Sequence, residues 1–398
     1  MKVSTDESKI DELLTRGTQD IFIREHLRKA LLSGEQLRIK LGIDPTGPDI
    51  HLGRAVALRK LKSFQDLGHK IVLIIGDFTA KIGDPSDKLE KRPMLADKQI
   101  KKNLKDYLKQ IKKVIDISKC EIQYNSKWLA KMSYLEMARL LECFTVQQMS
   151  KRRNFKERLE KGKDIFVVEF MYPALQGYDS VAVKADVEIG GFDQLFNLKA
   201  GRTVQKRYGE KEQDIMTVSM LEGTDGRKMS SSWGNVISIL DTADNMFIKV
   251  MAVKDNLIIK YFTLCTDLPL FEISELKNKL EKKVNPRDIK MKLAYEIVKI
   301  YHGEKKAKLA EANFINTFQK GEIPEEMEEI AGKREELLGD VLVKSKVLKS
   351  KSEWRRLVNA SGIHDLGNRQ SITDPYFPLT SDIILKIGKK RFVKISVK

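Results

Sequence analysis

The sequence predicts an α/β protein whose first part is a doubly wound parallel sheet, followed by a helical segment and a small α+β domain. Three observations lead there. Residues 38 to 77 read strand, helix, strand. Within them the apolar run Ile71-Val-Leu-Ile-Ile75 suits a strand buried on both faces of a parallel sheet. After residue 240 the periodicity becomes helical throughout, and it changes again after residue 340.

In chain order, Arg38 to Asp44 alternates polar and apolar residues until Gly42-Ile-Asp-Pro-Thr-Gly47 breaks it, which makes a first strand. From Leu52 a helix follows, because Leu52, Ala55, Leu58, Leu61 and Phe64 form one apolar stripe and Gly68 is placed to end it. Lys70 to Asp77 is the second strand. Further strands are expected at Ala185 to Ile189 and Asp214 to Leu221, with a helix starting near Asp193 between them. The alternation is that of a Rossmann-like sheet, whose ligands sit beyond the carboxyl ends of the strands. The informative loops are therefore Gly42 to Gly53, Gly76 to Lys88 and Gly190 to Gln194.

Between about 95 and 170 the chain reads as helical and basic, an insertion between the two halves of the sheet, with Lys151-Arg-Arg-Asn-Phe-Lys-Glu-Arg158 as its densest cationic patch. The expected domains are 1–240 with this insertion, 241–340 helical with Glu322 to Glu336 as a linker, and 341–398. In the last, Ser352-Glu-Trp-Arg-Arg-Leu-Val358 reads as a basic amphipathic helix and Arg391 to Val397 as a terminal strand.

The length of 398 residues suits two or three domains. A composition 41% hydrophobic and 32% charged is globular rather than disordered. The 73 Lys and Arg outnumber the 56 Asp and Glu, a net +17 that attracts polyanions, nucleic acid first; the plainer alternative is charge for solubility. No apolar run approaches the ~18 residues of a membrane span. The start lacks the basic-then-apolar pattern of a signal peptide, and Cys120, Cys143 and Cys265 lack metal-ligand spacing, so a reducing cytoplasm and no protein-ligated metal are expected.

Neither a phosphate loop nor a G-x-G-x-x-G fingerprint follows the first strand, which disfavours a P-loop ATPase or an ordinary dinucleotide enzyme. Instead, Asp44-Pro-Thr-Gly-Pro-Asp-Ile-His51-Leu-Gly-Arg54 puts His51 at the mouth of a helix, where backbone N–H groups favour anions. Leu221-Glu-Gly-Thr-Asp-Gly-Arg-Lys228-Met-Ser-Ser-Ser232 puts a lysine and three hydroxyls in a loop able to surround phosphate oxygens. Either motif alone would pass as an accidental helix start or a solvated loop. Tyr172, Gln176 and Asp179, spaced by four and three, share one helix face that can line a pocket, although tyrosines so placed are more often ordinary core residues.

Taken together and in order, Gly42-Ile-Asp-Pro-Thr46, His51-Leu-Gly53, Ile82-Gly-Asp-Pro-Ser86, Tyr172-Pro-Ala-Leu-Gln176-Gly-Tyr-Asp179, Gly190-Gly-Phe-Asp-Gln194 and Lys228-Met-Ser230 closely resemble the bacterial tyrosyl-tRNA synthetases. The resemblance runs from Leu37 to Leu268 and, more faintly, to the C-terminus. It implies a class I catalytic domain, tyrosine and ATP as substrates, adenylate formation and transfer to tRNA(Tyr), magnesium carried on the phosphates, and a homodimer formed through the region around 130 to 170.

The same resemblance assigns roles. Thr46, His51, Arg54, Lys88, Lys228 and Ser231 belong to the phosphate-side machinery. Gly42, Asp44, Gly53, Gly191, Asp193, Gln194, Met220, Leu221, Met229, Ser230 and Ser232 are implied for ATP, with Asp193 accepting ribose hydroxyls. Lys40, Thr79, Asp84, Tyr172, Gln176 and Asp179 are implied for tyrosine, Asp179 accepting the phenol and Tyr172, Gln176 and Asp84 the ammonium. Lys151, Arg152, Arg153, Arg355 and Arg356 are expected to contact RNA, the last two from an S4-like domain whose motif match is weaker.

Three residues depart from the family pattern. Arg54 replaces the second histidine of the first motif and is read either as a fixed cationic clamp or as turned outward. Phe192 removes a hydroxyl beside the ribose. Ser231 removes a lysine from the family's Lys-Met-Ser-Lys-Ser, and Arg54 is expected to compensate for it. The alternatives are a synthetase for tryptophan, which Asp179 with Gln176 argues against, and a synthetase-like RNA-binding protein that has lost catalysis. If Arg54 does compensate, Arg54→Ala weakens ATP binding or slows activation in pyrophosphate exchange; wild-type values in that variant refute the idea.

Overall fold

The computed structural model describes residues 3–47, 49–86, 96–316, 327–367, 370–388 and 391–397, with the backbone alone at Asp97, Lys105, Arg153 and Ser232. They pack as two compact units, Met1–Leu240 with Val253–Leu293, and Asp241–Ala252 with Ala294–Lys398.

The first unit holds a sheet of β1 (Thr18–Phe22), β2 (Arg38–Ile43), β3 (Lys70–Ile75), β4 (Glu121–Tyr124), β5 (Val187–Gly191) and β6 (Asp214–Val218), in the order β1-β6-β5-β2-β3-β4. The chain winds outward through β2, β3 and β4, returns to β5 and winds the other way to β6, all in parallel. Only β1, against β6, is antiparallel. The direction reverses between β2 and β5, where Lys40 pairs with Glu188 in register. That switch point opens a crevice beyond the strand ends, flanked by the loops after β2 and β5.

Each element follows from its residues. Ile71 to Ile75 are all fully buried, as a central strand requires, and Leu52, Ala55, Leu58, Leu61 and Phe64 bury one side of the helix Leu52–Asp66 against the sheet. Gly68, at φ 93°, supplies the left-handed turn that leads into β3.

The region 95–170, expected to be helical, also contains β4, which pairs with β3. Four half-buried residues are too few to show a period, so the strand was not visible in the sequence. The edge strand β1 was also not anticipated. β5 runs on to Gly191, and β6 stops at Val218 rather than Leu221.

In the second unit β7 (Glu328–Gly332), β8 (Ile363–Asp365), β9 (Gln370–Ser371), β10 (Ile383–Ile387) and β11 (Arg391–Val397) form a sheet in the order β7-β11-β10-β8-β9. The helices Leu338–Lys344 and Lys351–Asn359 bury Leu338, Leu342, Trp354 and Val358 in one core with Leu385 and Val393. The terminal strand appears as β11. The stretch Glu322 to Glu336, expected as a linker, instead contributes β7, parallel to β11; its residues up to 326 lie outside those described.

Lys40 on β2 and Glu188 on β5 are fully buried and bond at 2.9 Å. Removing one partner leaves a charge stranded in low dielectric, so Lys40→Met should cost about 3 kcal/mol in urea unfolding, with much of it regained in Lys40→Met/Glu188→Leu. A wild-type midpoint for the single variant would show that the pair carries no stability.

Candidate active site

The loop after β2 brings the first motif to the mouth of the helix Leu52–Asp66. His51 caps that helix, its Nδ1 accepting the N–H of Arg54 at 3.3 Å. An accepting Nδ1 puts the proton of the neutral ring on Nε2, which makes it a donor. Burial, then the charges of Arg54 and Lys228, hold the ring's pKa down to about 3, so it is neutral at ordinary pH. Of the two orientations left open for Arg54, the structure has the inward one: its guanidinium donates to Tyr107 Oη at 2.7 Å and to Thr46 Oγ1 at 3.3 Å.

The second motif meets the first here. The Gly53 N–H points to Met229 Sδ at 3.3 Å, and a Cβ at Gly53 would stand 3.1 Å from the His51 ring and 3.4 Å from Met229 Cβ. Close packing of two loops distant in sequence therefore explains this glycine. Lys228 donates to Asp193 Oδ2 at 2.8 Å. Asn235 stitches the loop together: its Oδ1 accepts the N–H of Ser230, and its Nδ2 donates to Asp225 and to the carbonyl of Lys228. The Arg227 guanidinium lies 4.9 Å from the Trp233 ring. Leu221 and Met229 are buried, whereas Met220, Phe192 and Ser231 are exposed. Lys88 lies outside the described residues, as does the side chain of Ser232.

On the other side the helix Val167–Ala182 presents Tyr172, Gln176 and Asp179. The Tyr172 hydroxyl donates to Asp44 Oδ2 at 2.9 Å, and Thr79 Oγ1 donates to Asp44 Oδ1 at 2.8 Å. Burial pushes Asp44 up to about 7 against these two donors, and the nearby charges of Asp84 and Asp179 add to the rise. Asp179 accepts from Trp128 Nε1 at 2.8 Å and Asn125 Nδ2 at 3.2 Å, and burial raises it to about 6 although Lys40 opposes the shift. Asp84 accepts from Ser86 and, at 2.6 Å, from Gln194 Nε2. At Gly76 a Cβ would run into the Asp44 carboxylate and the Thr79 hydroxyl, so no side chain fits there. Gly42 and Gly191 lie at the ends of β2 and β5.

Two expected contacts are corrected by their surroundings. Lys40 was expected to touch tyrosine, but its three N–H donors are taken by the Gln176 carbonyl, Ser180 Oγ and Glu188 Oε1. Arg152 was expected to touch RNA, but it is buried, donating to Ser86 and Asn197. Arg158 in the same patch forms a two-pronged pair with Glu169. Lys151, Arg355 and Arg356 are exposed, and the Arg153 side chain is not described.

Sequence reading missed Asn125 and Trp128, because they follow the unseen strand β4. It also missed Tyr107, Asn197 and Asn235. Glu188 did carry a signal, as a carboxylate on the strand expected at Ala185 to Ile189, which it shares with Asp186.

The family model described as tRNA synthetases class I (W and Y) matches residues 32–319. A tyrosine–tRNA ligase of Thermotoga maritima is 46% identical over 389 residues, 97% of this chain and 96% of its own. The tyrosine–tRNA ligase 2 of Clostridium acetobutylicum is 47% identical over 397 residues, 98% of this chain and 99% of its own. The chain belongs to the tyrosyl-tRNA synthetases. Among solved structures, the tyrosyl-tRNA synthetase of Archaeoglobus fulgidus complexed with L-tyrosine has a TM-score of 0.61 at 22% identity, covering 77% of this chain and 100% of that one, a likeness of fold.

For this synthetase the neutral His51 has a consequence for stability. The unfolded chain binds a proton at 6.5 that the folded ring refuses until about 3. Stability from this residue is therefore complete above pH 6.5 and is lost as pH falls toward 3, by up to about 1.4 kcal/mol per pH unit. His51→Asn, which can still cap the helix, should lose stability less steeply through that window in urea unfolding; an unchanged slope refutes the assignment.

Proposed function

We infer that this chain, a tyrosine–tRNA ligase, forms tyrosyl-adenylate and passes the tyrosine to the 3′ end of tRNA(Tyr) at the crevice between β2 and β5. One observation carries this reading: His51, Arg54 and Lys228 gather at one end of the crevice, and Asp44, Asp84, Tyr172 and Asp179 at the other, on the same edge of one sheet.

In the first step a carboxylate oxygen of tyrosine attacks the α-phosphorus of ATP and pyrophosphate leaves. Negative charge grows on phosphate oxygens, so fixed donors stabilise the transition state without a covalent nucleophile. The Nε2–H of His51, the Arg54 guanidinium, the Thr46 hydroxyl and the Lys228 ammonium are donors of this kind, with Lys88 and the hydroxyls of Ser230, Ser231 and Ser232 assisting. Gly42, Gly53 and Gly191 let the nucleotide approach the backbone, Asp193 and Gln194 hold the ribose, and Met220 with Leu221 lies against adenine. Magnesium would come held mainly by the phosphates and water, with the cations and hydroxyls of this side meeting the phosphate oxygens.

Tyrosine selection rests on acceptors. Asp84, Gln176 and Tyr172 take the ammonium. Each Asp179 oxygen has one described donor, which leaves lone pairs for the substrate phenol. Phenylalanine would leave that buried acceptor unmet, and tyrosyl-tRNA synthetases are themselves the established example of such rejection.

Exposed Lys151, Arg355 and Arg356 would contact tRNA phosphates. Exposed Tyr134, Leu135, Val146 and Val167 support the inserted region as the contact of a homodimer. Free thiols at Cys120, Cys143 and Cys265 agree with a cytoplasmic setting.

The test is tyrosine-dependent exchange of pyrophosphate into ATP. Exchange with tyrosine but not with tryptophan or phenylalanine is expected, and Lys228→Ala should lower the rate about 100-fold. No exchange with tyrosine by folded protein in magnesium would end this reading; exchange with tryptophan would replace the substrate.

A further inference from the structure

We propose that Arg152 is a positioning residue for amino-acid binding, which sets the direction of the hydrogen bonds that hold Asp84 for the substrate ammonium. The proposal rests on the reading above that Asp84 receives that ammonium.

Arg152 belongs to the cationic run that looks like an RNA contact, yet it is 6% exposed. Its guanidinium lies 5.0 Å from the Phe155 ring and 4.7 Å from the Phe196 ring. Nη2 donates to Ser86 Oγ at 2.9 Å and to Asn197 Oδ1 at 3.1 Å. Nη1 is buried with no hydrogen-bond partner among the described residues, and no described carboxylate lies within ion-pair distance of the guanidinium. Burying a cation without a direct counter-ion is costly. What it touches is therefore what accounts for it.

Both residues it touches bond to Asp84. The Ser86 hydroxyl donates to Asp84 Oδ1 at 2.6 Å, and the Ser86 N–H reaches the same oxygen at 2.9 Å. Asn197 Nδ2 lies 3.4 Å from Asp84 Oδ1 and donates to Gln194 Oε1 at 2.9 Å, while Gln194 Nε2 donates to Asp84 Oδ2 at 2.6 Å.

A hydroxyl or an amide can face either way, but a guanidinium only donates. Because Arg152 donates to Ser86 Oγ, the single hydroxyl proton of serine is turned toward Asp84. Because it donates to Asn197 Oδ1, the Asn197 NH₂ must face Gln194 Oε1, and that in turn presents the Gln194 NH₂ to Asp84. One obligate donor thereby orders a chain of three ambiguous groups. Their donors occupy Oδ1 and one side of Oδ2, and a lone pair of Oδ2 is left for an ammonium. Without the guanidinium, serine, asparagine and glutamine can rotate into arrangements that no longer hold the carboxylate.

The test is pyrophosphate exchange without tRNA for Arg152→Met and Arg152→Lys, with Asp84→Asn alongside. Losing hydrogen bonds that order a charged group should raise the KM for tyrosine about tenfold in Arg152→Met, with the KM for ATP and kcat changed by less than about twofold. In tRNA charging, the KM for tRNA should stay at the wild-type value. Asp84→Asn should itself raise the KM for tyrosine, and the double variant should be no worse than Asp84→Asn, because the two act in one chain. If Arg152→Met does not fold, Arg152→Lys, which keeps the buried cation but not the two-acceptor fork, supplies the same KM reading. A normal tyrosine KM in the arginine variants beside a raised one in Asp84→Asn overturns the proposal. So does a defect confined to tRNA. A normal tyrosine KM in Asp84→Asn sinks the reading of Asp84 itself, and the proposal with it.

Discussion

Negative charge in a dehydrated place is the constraint on which this site depends. Asp44 and Asp179 are both buried, and burial raises the pKa of each; the charges of Asp84 and Asp179 add to the rise at Asp44, and that of Glu188 adds to it at Asp179. Carboxylates in such company persist only if donors meet them from the protein. Much of the local structure supplies those donors: Thr79 and Tyr172 for Asp44, Trp128 and Asn125 for Asp179, Ser86 and Gln194 for Asp84, Lys40 and Gln176 for Glu188. Gly76 belongs to the same solution, since any side chain there would take the space of the Asp44 carboxylate.

The sheet topology explains why these groups converge. With β2 and β5 adjacent and their following loops diverging, the first motif and the Asp193 loop face one another across the switch point. The helix Val167–Ala182 then lays its polar face over the same strands, so Gln176, Ser180, Lys40 and Glu188 form a bonded group behind the crevice.

Legibility in the sequence followed pattern length. Ile71 to Ile75 and the helix from Leu52 have long, strong patterns, and the structure has them where expected. β4 is four residues long and half-buried, and with it went Asn125 and Trp128. Residues with ordered family motifs, such as His51, Asp193 and Lys228, were recognisable without geometry, and the structure brings them together. Lys40 and Arg152 were misread for a common reason: sequence reports that a residue is cationic but not which way it points. In the run Lys151 to Arg158, exposed Lys151 stands next to buried Arg152, with buried Arg158 at the far end, and only packing against Phe155, Phe196 and Glu169 separates them.

The bond between Lys228 and Asp193 bears on which anions this crevice favours. The cation proposed for phosphate and the carboxylate proposed for ribose neutralise one another there, so Lys228 is not a bare charge for every passing polyanion. A simple phosphate has nothing with which to claim Asp193 Oδ2. A nucleotide does, because its ribose hydroxyls compete with Lys228 for that oxygen while its phosphates offer the lysine other acceptors. On the proposed assignments, the ion pair acts as a filter that favours a sugar and a phosphate chain arriving joined in one molecule.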